Sequence, residues 1–194
     1  LELPDSGAER LLDYLALLHK WNRVYNLTAV REPARMLTHH LLDCLAVLPY
    51  LRGGRVLDVG SGAGLPGIPL ALARAEWSVT LLEANQKKSA FLAQAVSELG
   101  LGNASVECER VEQFSPAAPY DVVISRAFSD LPEFIRLAGR HCGSQGALVA
   151  MKGIYPFEEL REVPPQFALD QVVPLTIPGL NAERHLVLLR PAAH

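Results

Sequence analysis

The sequence predicts an α/β fold. It is a mostly parallel sheet of about seven strands with an antiparallel hairpin at one edge, preceded by N-terminal helices. Three observations lead there. The apolar run Arg55–Val59 breaks into glycines at alternate positions, Gly60, Gly62 and Gly64, and then into a new apolar run, a strand–glycine turn–helix unit. Short apolar runs then alternate with segments of helical spacing, the pattern of parallel strands joined by crossovers. The last two apolar runs, Phe167 to Pro174 and Arg184 to Arg190, follow too closely for a crossover and must pair antiparallel.

At 194 residues, with 49% of them hydrophobic, the chain suits one compact domain. Residues 1–52 are expected as a helical lead packed on a core of residues 53–194. No apolar run approaches a membrane span and no signal segment opens the chain, so a cytoplasmic location is expected. The chain does not open on Met, and a short N-terminal piece is expected to precede it. Cys44, Cys108 and Cys142 are odd in number and widely spaced. They suit reduced thiols rather than disulfides or a metal site. The net charge of −3 argues against a general nucleic-acid binder. Between residues 19 and 55, however, Lys20, Arg23, Arg31, Arg35, Arg52 and Arg55 stand against only Glu32 and Asp43. A local phosphate-facing patch fits that surplus, and so does a solvated helical face.

Leu11, Leu12, Leu15, Leu18 and Trp21 space an amphipathic helix over residues 8–21. Trp21 to Thr28 reads as an ordered turn, whose Asn22 and Asn26 suit either capping or contact with a base edge. Pro33 starts a second helix to about Leu48, with Met36, Leu37, Leu41, Leu45 and Leu48 inward. His40 and Asp43 share a face of it.

The glycine loop fits two templates. Gly62-x-Gly64-x-x-Gly67 matches a dinucleotide fingerprint. Asp58-x-Gly60-x-Gly62-x-Gly64 matches the acid-led loop of proteins that bind S-adenosylmethionine. Asp58, expected beside the ligand, decides between them: a carboxylate repels a pyrophosphate and favours an ammonium and a sulfonium. A glycine turn without a ligand is the bland alternative.

Trp77 to Glu83 is a second strand ending in an acid. Glu83, next to Ala84, stands 19 residues past Gly64, where a nucleoside site places a carboxylate on ribose hydroxyls. A helix follows from Gln86 to Leu99, then a short strand from Asn103 to Cys108. Arg110-Val111-Glu112 falls where a third loop meets an adenine. Tyr120 to Ala127 is a fourth strand that delivers Ser125 and Arg126 to the ligand edge. Asp130 to His141 is a helix, Gly146 to Gly153 a fifth strand ending in Lys152, and Phe157 to Arg161 a short helix.

Six motifs then occur in order. They are Trp21-Asn22-x-x-Tyr25-Asn26-Leu27-Thr28, His40-Leu-Leu-Asp43-x-Leu45, Leu57 to Ala71, Lys87-Lys88-x-x-Phe91-Leu92, Ser125-Arg126-Ala127 and Lys152-Gly153. From about Leu11 to Arg190 the chain resembles the bacterial small-subunit ribosomal RNA guanine-N7 methyltransferases, the glucose-inhibited division protein B family. The resemblance implies a Rossmann-like class I methyltransferase fold, S-adenosylmethionine as cofactor and methylation of N7 of one guanine in 16S ribosomal RNA. The partner implied is the small-subunit RNA or the small ribosomal subunit, and no metal or membrane is involved. Asp58, Gly60, Gly62, Gly64, Leu65, Glu83, Ala84, Val111, Glu112 and Arg126 would hold the cofactor. Arg126, Lys152, Asn22, Asn26 and His40 would serve the substrate side. Departures are small: Leu65 stands where an aromatic is common, Cys44 where Ser is, Val111 where Ala is, and Glu83 where Asp is. The chain is expected to act as a monomer. The competing readings are a ribosome-assembly factor that binds S-adenosylmethionine and a small-molecule methyltransferase. A nicotinamide dehydrogenase is opposed by Asp58 and the edge hairpin.

Overall fold

The computed structural model describes residues 3–192. Seven strands form one sheet in the order β3-β2-β1-β4-β5-β7-β6. They are β1 (Arg55–Val59), β2 (Ser78–Leu82), β3 (Ala104–Glu107), β4 (Tyr120–Arg126), β5 (Cys142–Lys152), β6 (Phe167–Pro174) and β7 (His185–Pro191). The first five are parallel, and β7 lies antiparallel between β5 and β6. The order reverses between β1 and β4, so a crevice opens beyond their carboxyl ends. Lys152 pairs with His185, so the start of β7 lies at that same edge.

The lead is one with the sheet. In α1 (Gly7–Tyr25), Leu11, Tyr14, Leu15, Leu17 and Leu18 are buried in the same core as Val56 and Val79 of the sheet. Each such side chain contributes roughly 1.5–3 kcal/mol when fully buried. Leu12, expected on the inner stripe, is 56% exposed. The inward arc is centred on Tyr14 and Leu18, which turns Leu12 outward.

The expected turn at Trp21 is helical. α1 runs four residues further, Trp21 stacks on Tyr25 at 5.1 Å, and Asn26 closes the helix in the left-handed region with φ 50°. Asn tolerates that conformation better than most side chains. The second helix also departs from a plain α pattern. α2 (Pro33–Met36) continues through a π-helical stretch (Leu37–Leu42) into α3 (Asp43–Leu45). The wider turn resets the phase, so Leu37 is exposed while His40, Asp43 and Cys44 are all buried.

The remaining helices are α4 (Gly67–Ala73), α5 (Gln86–Glu98), α6 (Leu131–Ala138) and α7 (Phe157–Arg161). Asn85 caps α5 by accepting from Lys87 and Lys88, and Asp130 caps α6 by accepting from Glu133. No helix of the described residues is long and apolar enough to cross a membrane.

The lead reaches the glycine loop through one hydrogen bond: the buried Tyr14 hydroxyl donates to the Ala63 carbonyl at 2.6 Å. Tyr14→Phe leaves that carbonyl without its donor, and should cost about 1–3 kcal/mol in urea unfolding.

Candidate active site

β1 ends in a loop whose shape is set by two acids. Gly60, Gly62 and Gly64 all have positive φ, at 69°, 57° and 87°. Glu83, at the end of β2, accepts the Gly62 N–H on Oε2 at 2.8 Å and the Asn85 N–H on Oε1 at 2.8 Å. Asp58, within β1, accepts the Gly67 N–H at 2.9 Å. Gly67 is required for closeness: a Cβ there would overlap Leu81 and come within 2.7 Å of the Asp58 carboxylate. Pro66 caps the start of α4.

Beside this loop lies a cavity of ≈ 410 Å³. Its walls include Gly60, Leu82, Glu83, Ala84, Val111, Glu112, Phe128 and Leu137. Lys88, Glu109 and Arg110 complete the rim. Thus Gly60, Glu83, Ala84, Val111 and Glu112, drawn from three separate loops, come together on one wall. Asp58, Gly62, Gly64, Leu65 and Arg126 do not line that cavity. Asp58 was expected beside the ligand; it lies beneath the loop, fully buried, with Oδ1 lacking a partner.

The cavity suits an adenosine. Each Glu83 oxygen accepts one backbone N–H and keeps acceptor capacity, enough for two ribose hydroxyls. Leu82, Val111, Phe128 and Leu137 supply apolar walls for a base. Three carboxylates against two cations make it a poor seat for a pyrophosphate. Ala127, on the same wall, holds φ at 56° without being glycine, an unusual conformation of the kind that clusters at functional sites.

Arg126 leaves the end of β4 toward the lead. Its guanidinium donates to His40 Nδ1 at 3.1 Å, lies 3.6 Å from Cys44 Sγ and pairs with Asp43 at 3.6 Å. Arginine has only donors, so His40 Nδ1 accepts and its Nε2–H donates to Thr28 Oγ1 at 2.8 Å. Nδ1 also lies 3.0 Å from the His39 carbonyl, and the charged donor decides the tautomer. Burial, then the Arg126 charge, lowers the His40 pKa to about 4, so the ring is neutral. Burial pushes the Cys44 thiol up to about 12. Asp43 also accepts from Arg184 Nε at 3.1 Å. Arg184, just ahead of β7, carried no sequence signal, because its partner stands 141 positions earlier.

The other substrate-side candidates divide. Asn22 is buried, with Oδ1 accepting from Thr28 N at 2.9 Å and Nδ2 3.5 Å from the Val30 carbonyl, so its amide is spent on the turn. Asn26 is exposed and holds Arg31 at 3.1 Å. Lys152 Nζ is taken up by Glu159 at 2.7 Å and by the Ser129 carbonyl at 2.9 Å. The basic surplus of the lead is also divided. Arg55 stacks on the Tyr120 ring at 4.8 Å, at the amino end of β1 and far from the cavity. Among the described residues no cluster of His, Cys, Asp or Glu could hold a metal ion.

Two buried groups bend stability with pH in opposite directions. Burial raises the Asp58 pKa from 3.8 to about 7. The fold therefore keeps a proton that the unfolded chain releases, and this contribution is lost as pH rises toward 7. His40 is depressed, so the unfolded chain binds a proton that the fold refuses, and stability is lost as pH falls from 6.5 toward 4. Relative to the starting protein, Asp58→Asn should remove the falling slope and His40→Asn the rising one. Urea midpoints from about pH 4 to 8 check both, and a profile for either variant parallel to the starting protein's would refute that assignment.

The family model for rRNA small subunit methyltransferase G matches residues 7–187. A protein named Ribosomal RNA small subunit methyltransferase G from Nitrosospira multiformis is 58% identical, over 99% of this chain and 92% of its own. One of the same name from Laribacter hongkongensis is 57% identical, over 92% and 86%. Among solved structures, the glycopeptide N-methyltransferase MtfA complexed with S-adenosyl-L-homocysteine aligns at a TM-score of 0.65 and 13% identity, over 79% of this chain and 87% of that one. TrmN from Thermus thermophilus aligns at 0.58 and 20% identity, over 77% and 48%. These two likenesses are of fold. The family model and the sequence relatives show that the chain belongs to the rRNA small subunit methyltransferase G family.

Proposed function

We propose that this chain transfers a methyl group from S-adenosylmethionine to N7 of one guanine in 16S ribosomal RNA, either bare or within the small ribosomal subunit. The observation that carries the cofactor assignment is Glu83, which lines the cavity and whose two oxygens each accept one backbone N–H with acceptor capacity to spare. Val111, Phe128 and Leu137 would enclose the adenine, and the Gly60 backbone would lie against the remainder. The bound cofactor would supply an electrophilic methyl group on a sulfonium.

Guanine N7 carries a free lone pair, so the chain needs no general base. Neutral His40 and the protonated Cys44 thiol agree with that requirement. The work left to the protein is orientation and electrostatics. Arg126, anchored from behind by His40, Asp43 and Cys44, is assigned to the cofactor or to guanine O6, a usual partner of a guanidinium. His40 and Lys152 are positioning residues on this reading. His40 orients Arg126, and Lys152 holds the 127–130 loop through the Ser129 carbonyl. Asn22 shapes the turn that presents Thr28 to His40, and Asn26 with Arg31 faces the RNA. The target base must leave its stack, so an unpaired loop nucleotide is the fitting substrate.

Labelled methyl transfer to small subunits lacking the modification tests the reading, with bare RNA and no RNA as controls. The expected product is 7-methylguanosine, formed only when RNA is present. Arg126→Ala should lower turnover about a hundredfold while keeping the fold. Glu83→Ala should weaken cofactor binding about tenfold, or ~1.4 kcal/mol, by calorimetry. Cofactor binding without any methylated guanosine would sink the assignment.

A further inference from the structure

Three apolar side chains within four positions stand out at the edge where the cavity opens. Ile154 is 75% exposed and Phe157 66%, with Tyr155 half-buried between them. The Tyr155 ring lies 4.3 Å from Phe157 at a tilt of 42°, and meets the His185 ring edge-on at 5.5 Å. The scaffold beneath is firm. Pro156 is buried, the His185 ring donates from Nδ1 to the Gly153 carbonyl at 2.8 Å, and Lys152 ties Glu159 to the Ser129 carbonyl. Ser129 follows Phe128, which walls the cavity. The rings therefore follow the carboxyl end of β5, on the edge of the sheet where the crevice opens, and keep much of their surface in water.

The charges of the segment are internally matched, Lys152 with Glu159 and Arg161 with Glu158. That pairing is wrong for a phosphate and right for the uncharged face of a base. The apolar patch, three side chains, is far smaller than the roughly 800 Å² per partner of a stable protein interface. We propose that Tyr155 and Phe157 form a stacking platform, rimmed by Ile154, for an unpaired RNA base at or beside the methylated guanine. A base drawn out of its own stack needs another π-face to lie on, and an aromatic side chain supplies it. The proposal rests on the RNA methyltransferase reading above.

Steady-state methylation of unmodified small subunits by Tyr155→Ala and Phe157→Ala tests it, with cofactor affinity followed by calorimetry. Each variant should raise KM for the subunit by about tenfold, the scale of one lost base–aromatic stack, with cofactor affinity unchanged. Phe157→Tyr should restore KM, because it returns a ring; Phe157→Leu, equally apolar but flat-faceless, should not. Unmoved KM in both alanine variants, or rescue by leucine as complete as by tyrosine, would overturn the platform alone. A starting protein that leaves small subunits unmethylated would overturn the functional reading, and the platform with it.

Discussion

Two buried acids define the shape of the glycine loop. Asp58 from β1 and Glu83 from β2 each take a backbone N–H from the glycine loop, at Gly67 and Gly62. A loop of alternating glycines has little conformational preference of its own, since glycine loses more freedom on ordering than any other residue. Acceptors at fixed points at the ends of adjacent strands supply that preference. The two acids divide the labour. Glu83 reaches the cavity wall and has acceptor capacity left, whereas Asp58 is enclosed beneath the loop.

On the other side of the site the corresponding anchor is Asp43. One carboxylate, buried and carried on the helical lead, receives Arg126 from the end of β4 and Arg184 from just ahead of β7. Buried ion pairs are poor evidence for stability, because desolvation offsets the Coulomb gain. Their value here is geometric. The contact joins three segments far apart in the chain and holds the guanidinium of Arg126, which also donates to neutral His40. His40, Asp43 and Cys44, three and four positions apart, share the buried face of the lead's second helix. The lead is thus tied to the sheet by a polar contact as well as by the core.

Most elements were legible locally. Strand β4 and helix α7 fall within a residue of their expected limits, and the antiparallel edge follows from the short span between the last two strands. Misses arose where tertiary context overrode a local cue. Trp21 to Tyr25 is polar and aromatic, yet it stays helical because Trp21 packs on Tyr25 and Phe91. Leu37 fits an inward stripe of period 3.6, yet the π turn changes the period and leaves it outside. Strand β5 begins at Cys142, four residues earlier than expected, because Tyr120 pairs with Cys142 across a bulge.

By itself the sequence determined the order of strands and helices, the glycine loop with its acids, and the family. Each of these depends on spacing and residue type over a few neighbouring positions. Only the tertiary structure decided which polar groups remain available. It spent the amides of Asn22 on a turn, the ammonium of Lys152 on Glu159 and the Ser129 carbonyl, and set Arg184 beside Arg126 on one carboxylate. The physical reason is that a buried polar group must find a partner wherever packing offers one, and that partner's place in the chain is set by the fold as a whole.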